Sequence, residues 1–118
     1  MSRAKGNAAA AWVAAYLRPW WPLAGKTPNG RLGEDIENTP GVSWEIKTGA
    51  TWRHEWLAQA ERNSHGKLAV VVYLPPGCGE RNTGNAHAIL PLHKLMELLV
   101  AAGYAPPGES GALPPEGD

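Results

Sequence analysis

Asp35-Ile36-Glu37-Asn38-Thr39-Pro40-Gly41-Val42-Ser43-Trp44-Glu45-Ile46-Lys47 sets an acid, a turn and a Glu-x-Lys strand in succession. A strand repeats every two residues, so Glu45 and Lys47 project from one face while Trp44 and Ile46 project from the other, toward an apolar layer. The charged pair is therefore not ordinary core. If Thr39-Pro40-Gly41 turns the chain back, Asp35 reaches the same edge as Glu45, and two carboxylates converge with one ammonium. Such an arrangement is a divalent-metal site with a lysine beside it.

The flanking sequence supplies elements to carry that segment. Ala9, Trp12, Val13, Tyr16 and Leu17 fall at i, i+3, i+4, i+7 and i+8 and predict an amphipathic helix over 7–17, stopped by Pro19. Residues 31–37 read as one strand and 42–47 as the next, a hairpin around Thr39-Pro40-Gly41. Thr51 is placed to cap a helix over 52–63. The continuous apolar run 68–74 suits a strand buried on both faces. A polar loop, 75–85, leads to a short strand over 87–90 and then to a helix opened by Pro91 and closed by Gly103. Leu92, Leu95, Met96 and Leu99 recur at helical spacing there and are expected to pack on the sheet. The segment 105–118 is acidic and rich in Pro and Gly, the composition of a disordered tail. The expectation is one α/β domain over 1–104, with a central mixed β-sheet flanked by helices.

Composition limits the function classes. A chain of 118 residues buries one core, not two. Lys+Arg and Asp+Glu are both 11, but Arg3, Lys5, Arg18, Lys26 and Arg31 all precede the first acid, Glu34, so a basic front is balanced by an acidic tail. Cys78 is alone, which excludes a disulfide framework and a cysteine zinc site and fits a reducing cytoplasm. Its setting, Pro75-Pro76-Gly77-Cys78-Gly79, is an ordinary loop rather than a nucleophile's. The four histidines have no metal-ligand spacing. The apolar start is amphipathic rather than a signal peptide, and no run is long enough to span a bilayer.

Phosphodiester hydrolysis requires charge neutralisation on the phosphate, a hydroxide near neutral pH and a stabilised leaving oxygen, all of which carboxylate-bound Mg²⁺ can assist. Asp35 and Glu45 offer hard oxygen ligands, the Ile46 carbonyl lies between the side chains, and Lys47 can orient or deprotonate a water. Glu-x-Lys alone also arises from alternating charges on a solvated strand face. The wider arrangement is more specific: Gly33, Asp35, Pro40-Gly41, Glu45-Ile46-Lys47, then a helix in which Gln59 shares a face with Trp52 and Trp56.

At these residues the chain resembles the PD-(D/E)xK nuclease superfamily, most closely the small Holliday-junction-resolvase-like proteins of bacteriophages. The resemblance spans about residues 6–102, with its specific part between Asp35 and Lys47. It implies a restriction-endonuclease-like αβββαβ core, metal ligation by Asp35 and Glu45, lysine assistance from Lys47 and support from Gln59. It further implies an Mg²⁺-dependent (or Mn²⁺-dependent) endodeoxyribonuclease cutting four-way or other branched DNA as a homodimer, in the cytoplasm of a bacterial host. The chain departs from the family at the first helix, where Ala10 stands in place of a metal-reaching glutamate; Glu34 points away from Asp35 and is a poor replacement. An inactive DNA-binding or structural subunit of the same fold, and a nuclease for linear or flapped duplex, are the alternatives.

Lys26 and Arg31, flanking Asn29-Gly30, and Arg53 are candidate phosphate contacts. Trp52 and Trp56 suit base stacking, or core anchoring in a chain without Phe, and the latter is the expectation. Trp20-Trp21 is either a dimer contact or a cover for the sheet.

Overall fold

The computed structural model describes residues 3–29 and 33–108, with side chains from residue 6 onward. Arg31 and the tail beyond 108 lie outside the described residues. The order is helix α1 (Arg3–Leu17), strands β1 (Gly25–Lys26), β2 (Ile36–Glu37) and β3 (Val42–Thr48), helix α2 (Glu55–Arg62), strands β4 (Leu68–Leu74) and β5 (His87–Ile89), and helix α3 (Leu92–Ala101). A short 3₁₀ segment, Glu80–Asn85, lies in the expected polar loop.

The sheet is mixed, in the order β3-β4-β5: β3 runs parallel to β4 from Val42↔Leu68 to Thr48↔Leu74, and β5 returns antiparallel to β4. A parallel pair needs a crossover, and α2 provides it. Strand β4 takes the central place because its Leu-Ala-Val-Val-Val-Tyr-Leu run tolerates burial on both faces; Val71 is wholly buried. One face of the sheet packs on α1 through Ile46, Val70, Val72 and Leu74 against Ala9, Val13 and Leu17. The other packs on α2 through Ala69 and Val71 against Ala60, Trp56 and Leu57. The α/β architecture with a mixed sheet between helices is the one the sequence predicts.

Several elements differ from expectation. The strand expected over 31–37 is only Ile36–Glu37 among the described residues, and it pairs with Gly25–Lys26 rather than joining the main sheet. The turn at Thr39-Pro40-Gly41 forms, with Gly41 at φ +91° and the Val42 N–H donating to the Thr39 carbonyl at 3.1 Å, but no β2–β3 ladder follows it. Asp35 makes the junction instead. Helix α2 starts at Glu55, with His54 and not Thr51 at its N-cap, because Trp52 is drawn onto the sheet, edge-on to Trp56 at 5.1 Å and to Tyr73 at 5.8 Å. Pro91 is the N-cap of α3, one position earlier than a first helical residue.

The largest correction concerns α3. Of Leu92, Leu95, Met96 and Leu99, expected to pack on the sheet, none is buried: Met96 and Leu99 are half-buried, and Leu92 and Leu95 are exposed, as is Leu98. Helices α1 and α2 already occupy the two faces of a three-stranded sheet, so no apolar face is left for α3. Trp21 covers the sheet, edge-on to Trp44 at 6.1 Å, while Trp20 lies tilted against Tyr16 at 5.8 Å and stays 63% exposed.

Candidate active site at the open edge of β3

Residues of a strand alternate in the edge toward which their backbone N–H and C=O point. Trp44 and Ile46 direct theirs away from β4: the Asp35 N–H donates to the Trp44 carbonyl at 2.9 Å, and the Ile46 N–H donates to Asp35 Oδ2 at 2.7 Å. The Asp35 carbonyl in turn accepts from the Thr27 N–H at 2.8 Å. One aspartate thus clamps the β1–β2 ribbon to the free edge of β3, and the Ile46 carbonyl faces the same edge. The bond to Ile46 engages Oδ2, and the carboxyl also makes a side-chain hydrogen bond with Glu45.

Glu45 lies under α2, only 6% exposed, beside Asp35. Burial pushes the Asp35 carboxyl above its ordinary range, against the lowering pull of the Ile46 N–H, the Lys47 ammonium and the Glu45 contact. Burial also raises Glu45, with the Asp35 charge adding to it, while Lys47 and a hydrogen bond from Asn63 pull it down. Two desolvated carboxylates side by side resist ionisation together. One cation between them relieves both.

Lys47 is that pair's nearest cation, its Nζ 3.6 Å from Glu45 Oε2. The same Nζ donates to Gln59 Oε1 at 3.2 Å and lies 5.7 Å from the centre of the Trp56 ring. The ammonium is thereby fixed by α2 rather than left to sweep solvent. Trp56, Gln59 and Asn63 recur at i, i+3 and i+7, so one stripe of α2 faces Glu45 and Lys47. Sequence reasoning found Gln59 but missed Asn63, although its place four residues after Gln59 was the available signal.

Asp35, Glu45, Lys47 and Gln59 come together as the sequence predicts. Of the DNA-contact candidates, Lys26 and Arg53 do not join them, and Arg31 lies outside the described residues. Arg53 is exposed on the loop before α2 and bonds Glu55 through Nε at 2.9 Å. Lys26 is half-buried in β1 opposite Ile36. Trp52 and Trp56 pack with Tyr73 as core anchors, and the Tyr73 hydroxyl donates to the Gly49 carbonyl at 2.7 Å. Glu34 is turned away, paired with Lys67 at 2.8 Å. Ala10 is buried in the apolar layer between α1 and the sheet.

No family model, curated protein or solved structure matches the chain. Among the described residues no third acid, histidine or cysteine joins Asp35 and Glu45. Two carboxylates and the edge-facing Ile46 carbonyl are hard oxygen donors of the kind Mg²⁺ prefers, and that ion usually keeps several waters. The set fits a hydrated Mg²⁺ or Mn²⁺ and suits softer metals poorly.

Proposed function

We propose that the protein is an Mg²⁺-dependent endodeoxyribonuclease that cuts branched DNA, above all four-way junctions, acting as a homodimer in the cytoplasm of a bacterial host. The observation that carries the reading is the convergence of the Asp35 and Glu45 carboxylates on the edge of β3 beside a lysine tethered by Gln59. Bound there, Mg²⁺ supplies a more acidic water and neutralises charge on the phosphate.

The protein's own groups do the rest. Asp35, Glu45 and the Ile46 carbonyl would hold the ion, with Ile46 N–H fixing the Asp35 carboxylate and Asn63 orienting Glu45. Lys47 Nζ directs a water toward phosphorus and offsets the negative charge that builds on the phosphate oxygens. Gln59 Oε1 accepts from Nζ and keeps it aimed. The water oxygen forms the new bond to phosphorus, the bond to the leaving sugar oxygen breaks, and that oxygen departs with a proton. Four-way junction preference and dimeric action rest on the resemblance alone.

A second reading, an inactive DNA-binding subunit of the same fold, is favoured by Ala10, since no acid reaches the site from α1. Incubation with a synthetic four-way junction and a linear duplex, with Mg²⁺ or chelator, separates the two. Paired nicks on the junction, absent with chelator and absent in Lys47→Ala, support the nuclease. Metal-independent binding without cutting supports the inactive subunit, and equal cutting of the linear duplex removes the junction preference while keeping the chemistry.

A further inference from the structure

A cavity of about 520 Å³ opens between α1 and the 3₁₀ segment Glu80–Asn85. Trp12 and Tyr16, one helical turn apart, line it with two rings, and the exposed Ala11 and Ala15 beside them leave that flank of α1 without bulk. Glu80 and Arg81 line it from the loop side. Aromatic walls with a few convergent polar groups, at about 300–1,000 Å³, are the usual form of a small-ligand site.

The loop that carries the two charges is stapled to itself. The Thr83 hydroxyl donates to the Gly79 carbonyl at 2.9 Å, and the Asn82 side chain accepts from the Gly79 N–H at 2.7 Å and donates to the Gly77 carbonyl at 3.0 Å. Gly84 lets the Tyr16 phenol lie across the segment, since a Cβ there would stand 2.9 Å from the hydroxyl. Tyr16 nevertheless stays 47% exposed, with ring surface left to meet a ligand.

We infer that this cavity receives an unpaired guanine base, stacked on the wall of Trp12 and Tyr16 and read at its edge by Glu80 and Arg81. Any base can stack on such rings, so the edge decides which one fits. A carboxylate only accepts hydrogen bonds and a guanidinium only donates them. Guanine presents the N1 and N2 donors side by side to a carboxylate, and O6 and N7 as acceptors to a guanidinium. Adenine, cytosine and thymine have one donor group each and leave a carboxylate oxygen without a partner. A phosphate is a poorer match, because Glu80 offsets the charge of Arg81. The inference goes beyond the proposed nuclease and does not depend on its metal site.

Calorimetric titration of the full chain in chelator, with dGMP, dAMP, dCMP, dTMP and guanosine, tests it. The expected result is that dGMP and guanosine bind alike, and about tenfold or more tighter than the other three, the discrimination one bidentate contact supplies. Glu80→Gln lowers dGMP to the level of dAMP, and Tyr16→Ala weakens it about tenfold, the loss of one stacking partner. Ala15→Phe fills the cavity from an exposed position and abolishes binding with an unchanged thermal midpoint. Lys47→Ala binds like wild type, so loss of cleavage and loss of base binding are read separately. A dT oligonucleotide with one central dG distinguishes the sources: tighter binding than dGMP assigns a base within a strand, weaker binding a free nucleotide, and either supports guanine. Equal binding of all four nucleotides overturns the inference, as does binding of dGMP without guanosine, which makes phosphate the ligand. Glu80→Gln and Ala15→Phe variants that bind like wild type also overturn it. So does a wild type that binds neither dGMP nor the dG-bearing strand at about 1 mM, the weak end of ligand affinity, or that binds a maltooligosaccharide instead.

Discussion

Asp35 performs two tasks that substitution can separate. Its Oδ2 accepts the Ile46 N–H at 2.7 Å, and its charge is available to a cation. Asp35→Asn keeps an acceptor for Ile46 and removes the charge; Asp35→Ala removes both. Ile46 is 9% exposed, so in Asp35→Ala its N–H loses its acceptor out of reach of bulk water, at a cost of about 1–3 kcal/mol. For a domain of this size that lowers the melting temperature by roughly 4–12 °C. Asp35→Asn, freed of a desolvated charge beside Glu45, melts at or above the wild-type temperature in chelator at pH 7. Mg²⁺ at tenfold over its dissociation constant then stabilises wild type by about 1.4 kcal/mol and neither variant. Thermal and urea melts of the three proteins, with chelator and with Mg²⁺, measure all of this. If Asp35→Ala is as stable as Asp35→Asn, the clamp between the ribbon and β3 does not exist.

Other perturbations follow from the same geometry. Asp35 and Glu45 both have raised folded-state pKa values, so their contribution to stability is full below the ordinary carboxylate range and is lost as pH rises through the raised values. In chelator, urea midpoints therefore carry a decline over that window, and Glu45→Gln flattens it; an unchanged profile in the variant refutes the assignment. Lys47→Ala lowers the cleavage rate by about 10²–10⁴-fold, the range of a positioned acid–base group, while Mn²⁺ affinity measured by calorimetry does not fall. Gln59→Ala, which leaves Nζ present but untethered, falls between Lys47→Ala and wild type in the same kinetics. Val71→Ala, in the middle of the sheet, costs about 2 kcal/mol by urea melt without altering Mn²⁺ affinity.

Local chemistry made much of this fold legible. The run Leu68–Leu74 is apolar without alternation, and it is the strand buried on both faces. Glu45 and Lys47 share a face because the strand period leaves no other choice, and Gln59 was found because α2 repeats every 3.6 residues. What the pattern did not convey depends on long-range competition. Trp52 had helical spacing with Trp56, but packing on Tyr73 outweighed one more turn of helix. Periodicity marked α3 as apolar without saying what surface was left to receive it, and α1 and α2 had taken both faces. The Asp35 side-chain bond to the β3 backbone replaces a ladder, and a side chain acting as a strand partner has no periodic signature.

Soaking crystals of the protein in Mn²⁺ and locating the ion by anomalous scattering is the most direct measurement. The prediction is one peak at the edge of β3, within coordination distance of the Asp35 carboxylate, the Glu45 carboxylate and the Ile46 carbonyl, with Lys47 Nζ beside its water shell. Manganese elsewhere with that edge empty, or carboxylates too far apart to share one ion, contradicts it.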